Sequence, residues 1–447
     1  MTNTQKFDAI VIGAGAGGCH AAARLAAAGQ HTLLIDDHDY LGGRAGTEII
    51  DGHRVNIGAI ALEPGGTFEE TFQLCGATLD IREPDPAAVF YIDRKVVDVR
   101  KGGLGFLLNG LTKQASRVLD QFAKARTGNL PDGRESTEDW LRRYTKNETA
   151  HAVFRNLCAA IFAMNADEIP ARAFLTYFTQ KGAFKKFGFH PEGTMGAWTA
   201  LAAAVERLGG EVWLSSPAEK IEVTDGRATA VHIRRNGGEP VRIEADTVIF
   251  NGGPRALVGL VGEDALGEAY VRQTREVLKP AANIVFNFAS REDLMPGIPG
   301  IMTFGKTRHG RLCNMANLTA TCPELAPDGW HQYVAYVVPR PALADFDSDD
   351  EVEKGFEDLR EQFPGFDDKV KMLSVRVMRD EWPAQRTGAG YDMSVTTPVD
   401  ALWCVGDAVK EYGNGGTQAC AVSAKEAVDL ALAASNVSRV AAEKLAT

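Results

Sequence analysis

The sequence predicts an α/β fold, and three stretches predict it. Between Asp8 and Arg44 a β-branched run leads into a glycine-rich loop, an alanine-rich helix and a second short strand. From about 190 to 255 a helix precedes alternating strand-like segments, and from Leu402 a short strand ends in Gly406-Asp407 ahead of a glycine-initiated helix. Strands alternating with helices are the pattern of a mostly parallel sheet covered on both faces.

The first stretch reads as a complete dinucleotide-binding unit. Asp8–Ile12 predicts a strand running into Gly13-Ala14-Gly15-Ala16-Gly17-Gly18; a helix over Cys19–Ala28 stops at Gly29, and a strand over Thr32–Ile35 delivers Asp36 and Asp37. Gly13 makes the tight turn, Gly15 lets backbone approach a pyrophosphate, and Gly18 lets the helix pack on the strand. Ala16 and Gly17 stand at the positive end of the helix dipole, where free N–H groups hold phosphate. Asp36, 23 residues after Gly13, is placed to accept from a ribose 2′-OH, with Asp37 beside it. Six residues after Asp36 comes Gly42-Gly43-Arg44-Ala45, a second glycine pair carrying a guanidinium that can pair bidentately with phosphate. Simple NAD folds do not need that pair, so the reading is FAD. No Cys or His stands in a spacing suited to flavin attachment, so FAD is expected to be noncovalent.

At these residues the chain resembles the phytoene desaturase and flavin-containing amine oxidase superfamily, whose opening has the form GxGxxG…E/D…GGR. The resemblance recurs at Pro191–Gly196, the following helix Ala197–Leu208, the strand Glu211–Leu214 and Ala218–Ile221. It implies that backbone around Ile221 lies near adenine. It recurs again at Leu402–Asp407 and Gly415–Ala419, before a helix running to about Ala434. There it implies that Gly406 and Asp407 meet the ribityl-phosphate region and that Gly416, Thr417 and Gln418 face the flavin ring. The implied architecture is a Rossmann-like FAD-binding domain, discontinuous over 1–85, 190–255 and 395–436, with an inserted α+β substrate domain over 86–189 and 256–394 and a C-terminal tail at 437–447. Within the insert, Ser136 and Asp139 fit a capping box. Ala282–Phe288, Gln332–Val338 and Met372–Val377 read as strands of a second sheet, and the acidic run Asp345–Glu353 as a solvated turn before a helix over Val352–Phe363.

Bulk properties set limits. With 447 residues and 45% hydrophobic content the chain can build two cores. A net charge of −11 argues against nucleic acid as a partner, and no Lys/Arg cluster offers docking on anionic lipid, although peripheral membrane contact stays compatible. The seven scattered cysteines and nine histidines show no zinc or HExxH spacing, so no metal is expected. The most apolar helical candidate, Ala150–Met164, is interrupted by Arg155 and Asn156 and is too short to span a bilayer. No cleavable signal is read at the N-terminus, so the expected compartment is cytoplasmic; the oligomeric state is left open.

For activity, the resemblance implies an FAD-dependent oxidoreductase. Amine oxidases of the superfamily commonly place a cage aromatic just before the last helix, where this chain has Thr417; many carry a strand lysine where this chain has Asn283, with Lys279 nearby. Asn251–Leu257 and Thr397–Val399 are closer to the desaturases, although Gly406-Asp407 departs from carotenoid desaturase wording. The expectation is therefore desaturase-like dehydrogenation of a small hydrophobic substrate by hydride transfer to flavin N5. A flavin amine oxidase is the alternative; a non-redox isomerase or a prenyl-partner binding protein is a second, and Gly18, Asp36, Arg44 and Asp407 argue against the binding protein. Glu411–Asn414 and Trp382–Tyr391 are the expected neighbours of the ring. Tyr412 is the catalytic candidate, with packing against the flavin edge as its structural alternative. Phe184, Phe187, Phe189, Tyr177 and Phe178 line a substrate tunnel or fill core; His190 faces substrate or satisfies a turn, and Glu192 binds the flavin edge or caps a turn.

Overall fold

Short apolar runs, buried on both faces, make the centre of the first sheet: Ala9–Ile12 of the first strand, Thr32–Ile35, the end of the long strand Val241–Phe250, and Leu402–Cys404. A computed structural model describes residues 5–92, 94–98, 121–122, 124–125, 128–131, 133–179, 186–379 and 387–446. In chain order the strands are β1 (Lys6–Ile12), β2 (Thr32–Ile35), β3 (Thr47–Ile50), β4 (His53–Asn56), β5 (Ala88–Ile92), β6 (Lys95–Val97), β7 (Glu211–Trp213), β8 (Ala218–Thr224), β9 (Arg227–Ile233), β10 (Val241–Phe250), β11 (Asn283–Ser290), β12 (Ile301–Phe304), β13 (Leu312–Asn317), β14 (His331–Val337), β15 (Val370–Met378) and β16 (Leu402–Cys404).

The first sheet has the order β7-β2-β1-β10-β9-β8. Strands β7, β2, β1 and β10 are parallel, and β16 pairs in parallel with the last residues of β10. The first residues of β10 turn instead to an antiparallel meander with β9 and β8. One long strand thus serves two neighbours on the same side. The carboxyl ends of β1, β2, β10 and β16 open onto one crevice, the place where open α/β sheets bind ligands. The helix Ala16–Ala27, the helix Met195–Arg207 and the final helix Gly416–Ala446 pack about this sheet, with Leu25, Trp198, Leu201 and Ala424 in a shared core.

The second sheet has the order β15-β11-β14-β13-β12-β5-β6 and is antiparallel except between β12 and β5. Three of its strands match the expected runs. β13 (Leu-Cys-Asn-Met-Ala-Asn) lacks the β-branched and aromatic residues that announce a strand, and β12 (Ile-Met-Thr-Phe) is only four residues long; neither was foreseen. The helices Glu148–Phe162 and Ala171–Thr179 form a second apolar cluster with Trp140, Phe154 and Phe174. Ser136 caps the helix Thr137–Arg142, accepting from Asp139 N–H as expected.

Three expectations are corrected. The acidic run is the start of a helix, Ser348–Gln362, capped by Asp347, whose carboxylate accepts from Asp349 and Asp350 N–H; carboxylates are favoured at this end of the dipole. Helices Pro254–Val261 and Glu268–Glu276, in the segment assigned to the substrate domain, pack Leu257, Tyr270 and Val271 into the first sheet's core, because they follow directly on β10. The final helix continues to Ala446, through most of the 437–447 stretch expected as a tail.

Candidate functional site

The glycine loop closes on itself at the end of β1. Gly13 takes φ +97°, its N–H donates to Ile35 O at 2.8 Å, and Gly42 N–H donates to Ala14 O at 2.8 Å. A Cβ on Gly18 would overlap the Gly13 carbonyl oxygen, so helix and strand meet there at backbone distance. Asn251, immediately after β10, fills the underside of the loop: its Nδ2 donates to Gly13 O at 3.2 Å, and Cβ atoms on Gly15 and Gly17 would sit 2.8 and 2.6 Å from its amide. In the sequence Asn251 stands out only as the first residue of the desaturase-like stretch Asn251–Leu257. Its position directly after a central strand was the available signal.

Asp36 Oδ2 accepts from Ala14 N–H at 2.5 Å and Oδ1 accepts from His38 N–H at 2.9 Å. Burial raises its carboxyl to about 6, with Asp37 adding to the rise and the two N–H donors opposing it. Asp37 is largely exposed and lines the same cavity. Beside the loop, Gly42 and Gly43 take φ +97° and +53° into the 3-10 turn Gly43–Ala45, pinned by Trp198 Nε1 donating to Ala45 O at 2.8 Å. That turn aims Arg44 at Asp407: Nη1 lies 3.9 Å from Oδ2, buried and without a hydrogen-bond acceptor.

Asp407 is held from several directions. Its Oδ2 accepts from Thr387 N–H at 2.7 Å, and Gly406, at φ +98°, anchors through its N–H to Ser423 Oγ at 2.9 Å. Lys410, 4% exposed, lines the cavity and was missed in the sequence. Its Nζ donates to Thr387 O at 2.9 Å and Asp407 O at 2.6 Å, and pairs with Asp392 Oδ1 at 2.7 Å. Burial raises Asp392 to about 6 even with this lysine lowering it.

A single cavity of about 630 Å³ is lined by the glycine loop, Asp36, Arg44, Asp407 and Lys410. At one end it is walled by Gly13, Gly15, Ala16, Gly17, Asp36, Gly43 and Arg44; it runs past Asp407, Gly416 and Thr417 to Leu157, Ile161, Phe162, Tyr177 and Phe187. The volume lies in the range of about 300–1,000 Å³ typical of ligand sites. A buried unpartnered guanidinium atom, a loop where Cβ atoms cannot fit and the unpartnered Thr417 Oγ1 suit a phosphate-linked flavin: Arg44 and the loop would hold its phosphates, Asp36 a ribose.

The sequence profile of flavin-containing amine oxidoreductases matches residues 17–432. The chain belongs to this family. A phytoene desaturase of Neurospora crassa is 42% identical over 82 residues, 18% of this chain. That match spans only 14% of the fungal enzyme's length. The 15-cis-phytoene desaturase of Capsicum annuum is 22% identical over 446 residues, covering 91% of this chain and 75% of that enzyme. An oxidoreductase from Methanosarcina mazei shares the fold, with TM-score 0.81, 24% identity and coverage of 95% of this chain and 100% of its own.

In this flavin-containing amine oxidoreductase, four expected site residues stand away from the cavity wall. Gly18 acts beneath it, at the Gly13 contact. Ile221 is buried in the first sheet's core, and Ser216, Pro217 and Ala218 line the cavity instead, because the strand turns Ile221 inward. Gln418 turns its Oε1 back to accept from Phe68 N–H at 3.0 Å, over the side-chain-free Gly66, and caps the helix Gly66–Cys75. Its own N–H, expected to face the flavin, donates to Glu63 Oε2 at 2.8 Å. Glu63, a buried carboxylate on the cavity wall, was also missed. Tyr412 is 37% exposed and off the wall, since Gly413 (φ +72°) packs tightly on Ala173 and Thr176 and turns Tyr412 outward; Asn414 and Gly415 line the cavity in its stead.

The remaining candidates divide. Tyr177 and Phe187 line the cavity, while Phe189 is core. Phe184 and Trp382 lie outside the described residues, as does the Phe178 side chain. His190 is buried, accepts from Glu192 N–H at 3.1 Å and is held below its usual range by burial, so it serves the turn. Asn283 is on the wall, and Lys279 is not. Among the described residues, no helix is long and apolar enough to cross a membrane.

Proposed function

We propose that this protein is an FAD-dependent dehydrogenase of the desaturase type, with FAD held noncovalently, acting on a small hydrophobic molecule. The observation that carries the reading is the continuity of one cavity from the glycine loop to an apolar lobe formed by Leu157, Ile161, Phe162 and Phe187. Bound FAD would supply the two-electron acceptor for carbon–hydrogen oxidation. The chain's own part is to bind and to shield. Arg44 meets phosphate charge, Asp36 accepts from a ribose hydroxyl, and the apolar lobe strips water from the substrate and orients it. Thr417, in place of a cage ring, offers no aromatic face to an amine. The phytoene desaturases among its relatives support the same reading. Cys420, on the cavity wall, has its thiol pushed up to about 12 by burial, which leaves it a poor nucleophile for flavin attachment.

Glu63 favours a second reading, amine oxidation, because a buried carboxylate on the wall can pair with an ammonium group. One experiment separates the two. Anaerobic holoenzyme is mixed with panels of amines and of cyclic or isoprenoid non-amines while the oxidised flavin band is followed. Bleaching by the hydrophobic panel is expected; rapid bleaching by amines alone moves the assignment to amine oxidation.

A further inference from the structure

The apolar lobe has a polar floor. Thr303 on β12 pairs with Asn314 on β13, and Asn314 pairs with Tyr336 on β14. Residues directly opposite in antiparallel strands share a face, so the three form a row across the second sheet. Asn283, on the neighbouring β11, lies one pleat along the same face, because Val285 is the residue opposite Tyr336. All four line the cavity. Asn314 is 5% exposed and its Oδ1 has no hydrogen-bond partner, while Nδ2 donates to Ala160 O at 3.4 Å. That bond orients the carboxamide and leaves the acceptor oxygen over. Tyr336 is satisfied differently, its hydroxyl donating to Gly58 O.

A hydrocarbon occupant would seal this floor and leave the Asn314 oxygen dry. A buried acceptor without a donor is costly, and a site built to hydrogen-bond its ligand discriminates strongly against an analogue lacking the group. From this row we propose that the substrate is not a bare polyene but an apolar molecule bearing one hydrogen-bond donor, a hydroxyl group, received at Asn314 Oδ1 beside Thr303. The proposal rests on the reading of the apolar lobe as the substrate site, and it narrows that site's substrate class.

The test is binding, independent of turnover. Oxidised holoenzyme is titrated with farnesol, with farnesyl methyl ether, which accepts but cannot donate, and with farnesene, reading the perturbation of the flavin band and equilibrium dialysis. Farnesol is expected to bind about ten- to a hundred-fold tighter than either analogue. In Asn314→Leu that preference should collapse; Thr303→Val should reduce it less. Because the wild-type comparison stands alone, a variant that fails to fold leaves the test intact. Equal or tighter binding of farnesene overturns the hydroxyl proposal and leaves the hydrophobic-substrate reading standing. Binding of none of the three overturns both.

Discussion

The Arg44 guanidinium stands 3.9 Å from the Asp407 carboxylate, its Nη1 buried and lacking a hydrogen-bond acceptor. Too long for a direct hydrogen bond, the gap leaves the guanidinium donor free for another acceptor. Phosphate oxygens would complete the guanidinium's hydrogen bonding.

Arg44→Ala is therefore expected to weaken FAD binding by about 1.5–3 kcal/mol. Arg44→Lys should recover only part, since an ammonium keeps the charge without the planar fork. Flavin fluorescence during reconstitution of the apoprotein gives both dissociation constants. Parent-like affinity in Arg44→Ala would remove the residue from the phosphate site.

Gly18→Ala forces a methyl against the Gly13 carbonyl, so the variant is expected to purify without flavin and to melt earlier than the parent apoprotein. Gly259, in the helix Pro254–Val261, is the control: nothing lies within 4 Å of a Cβ built there. Gly259→Ala should stabilise by about 0.5–1 kcal/mol through helix propensity. Thermal melts of both variants check the contrast, and equal effects would contradict it.

Asp36 gives a pH dependence with opposite signs for folding and binding. Burial holds its carboxyl at about 6 against an ordinary 3.8, so the folded apoprotein binds the proton more tightly than the unfolded chain. This group's contribution to stability is full below 3.8 and is lost as pH rises through about 6. FAD binding needs the ionised acceptor, so affinity should fall as pH drops through about 6. Asp392 titrates in the same window, and Asp36→Asn distinguishes the two. A dissociation constant that becomes flat with pH in that variant supports Asp36; a surviving slope points to Asp392.

Lys410 ties Thr387, Asp392 and Asp407 together from inside the protein. Lys410→Met strands the buried Asp392 carboxylate and is expected to cost about 3–5 kcal/mol. The double variant Lys410→Met/Asp392→Leu removes both charges and should regain most of that loss. Urea unfolding of the three proteins measures it, and no recovery in the double variant would count against the pairing.

What the sequence made legible was local. The glycine loop, Asp36 and Arg44 are set by neighbours within one βαβ unit, where spacing alone constrains the geometry. Lys410 was invisible because its partners Thr387 and Asp392 come from an earlier stretch of chain and no motif announces them. Gln418 was misread for the same reason: its side chain caps a helix 350 residues away. Tyr412 follows a motif but owes its direction to Gly413 packing on the helix Ala171–Thr179, a contact that spacing does not encode. In the second sheet, β13 is a strand because its neighbours on both sides complete its hydrogen bonds, despite a composition that disfavours it.

The placement of β10 between β1 and β16 also orders events in time. At ribosomal speeds of about 5–20 residues per second, β1 leaves the ribosome on the order of ten to fifty seconds before Phe250, the partner of Ile12, has been made. Until then one edge of a strand whose last four residues, Ala9–Ile12, are apolar and buried has nothing to pair with, and Asn251 has not arrived to fill the glycine loop. The nascent chain therefore passes through a sticky, half-built stage in which shielding by chaperones matters most. FAD can close the structure only at the end, after Asp407 and the last helix have emerged.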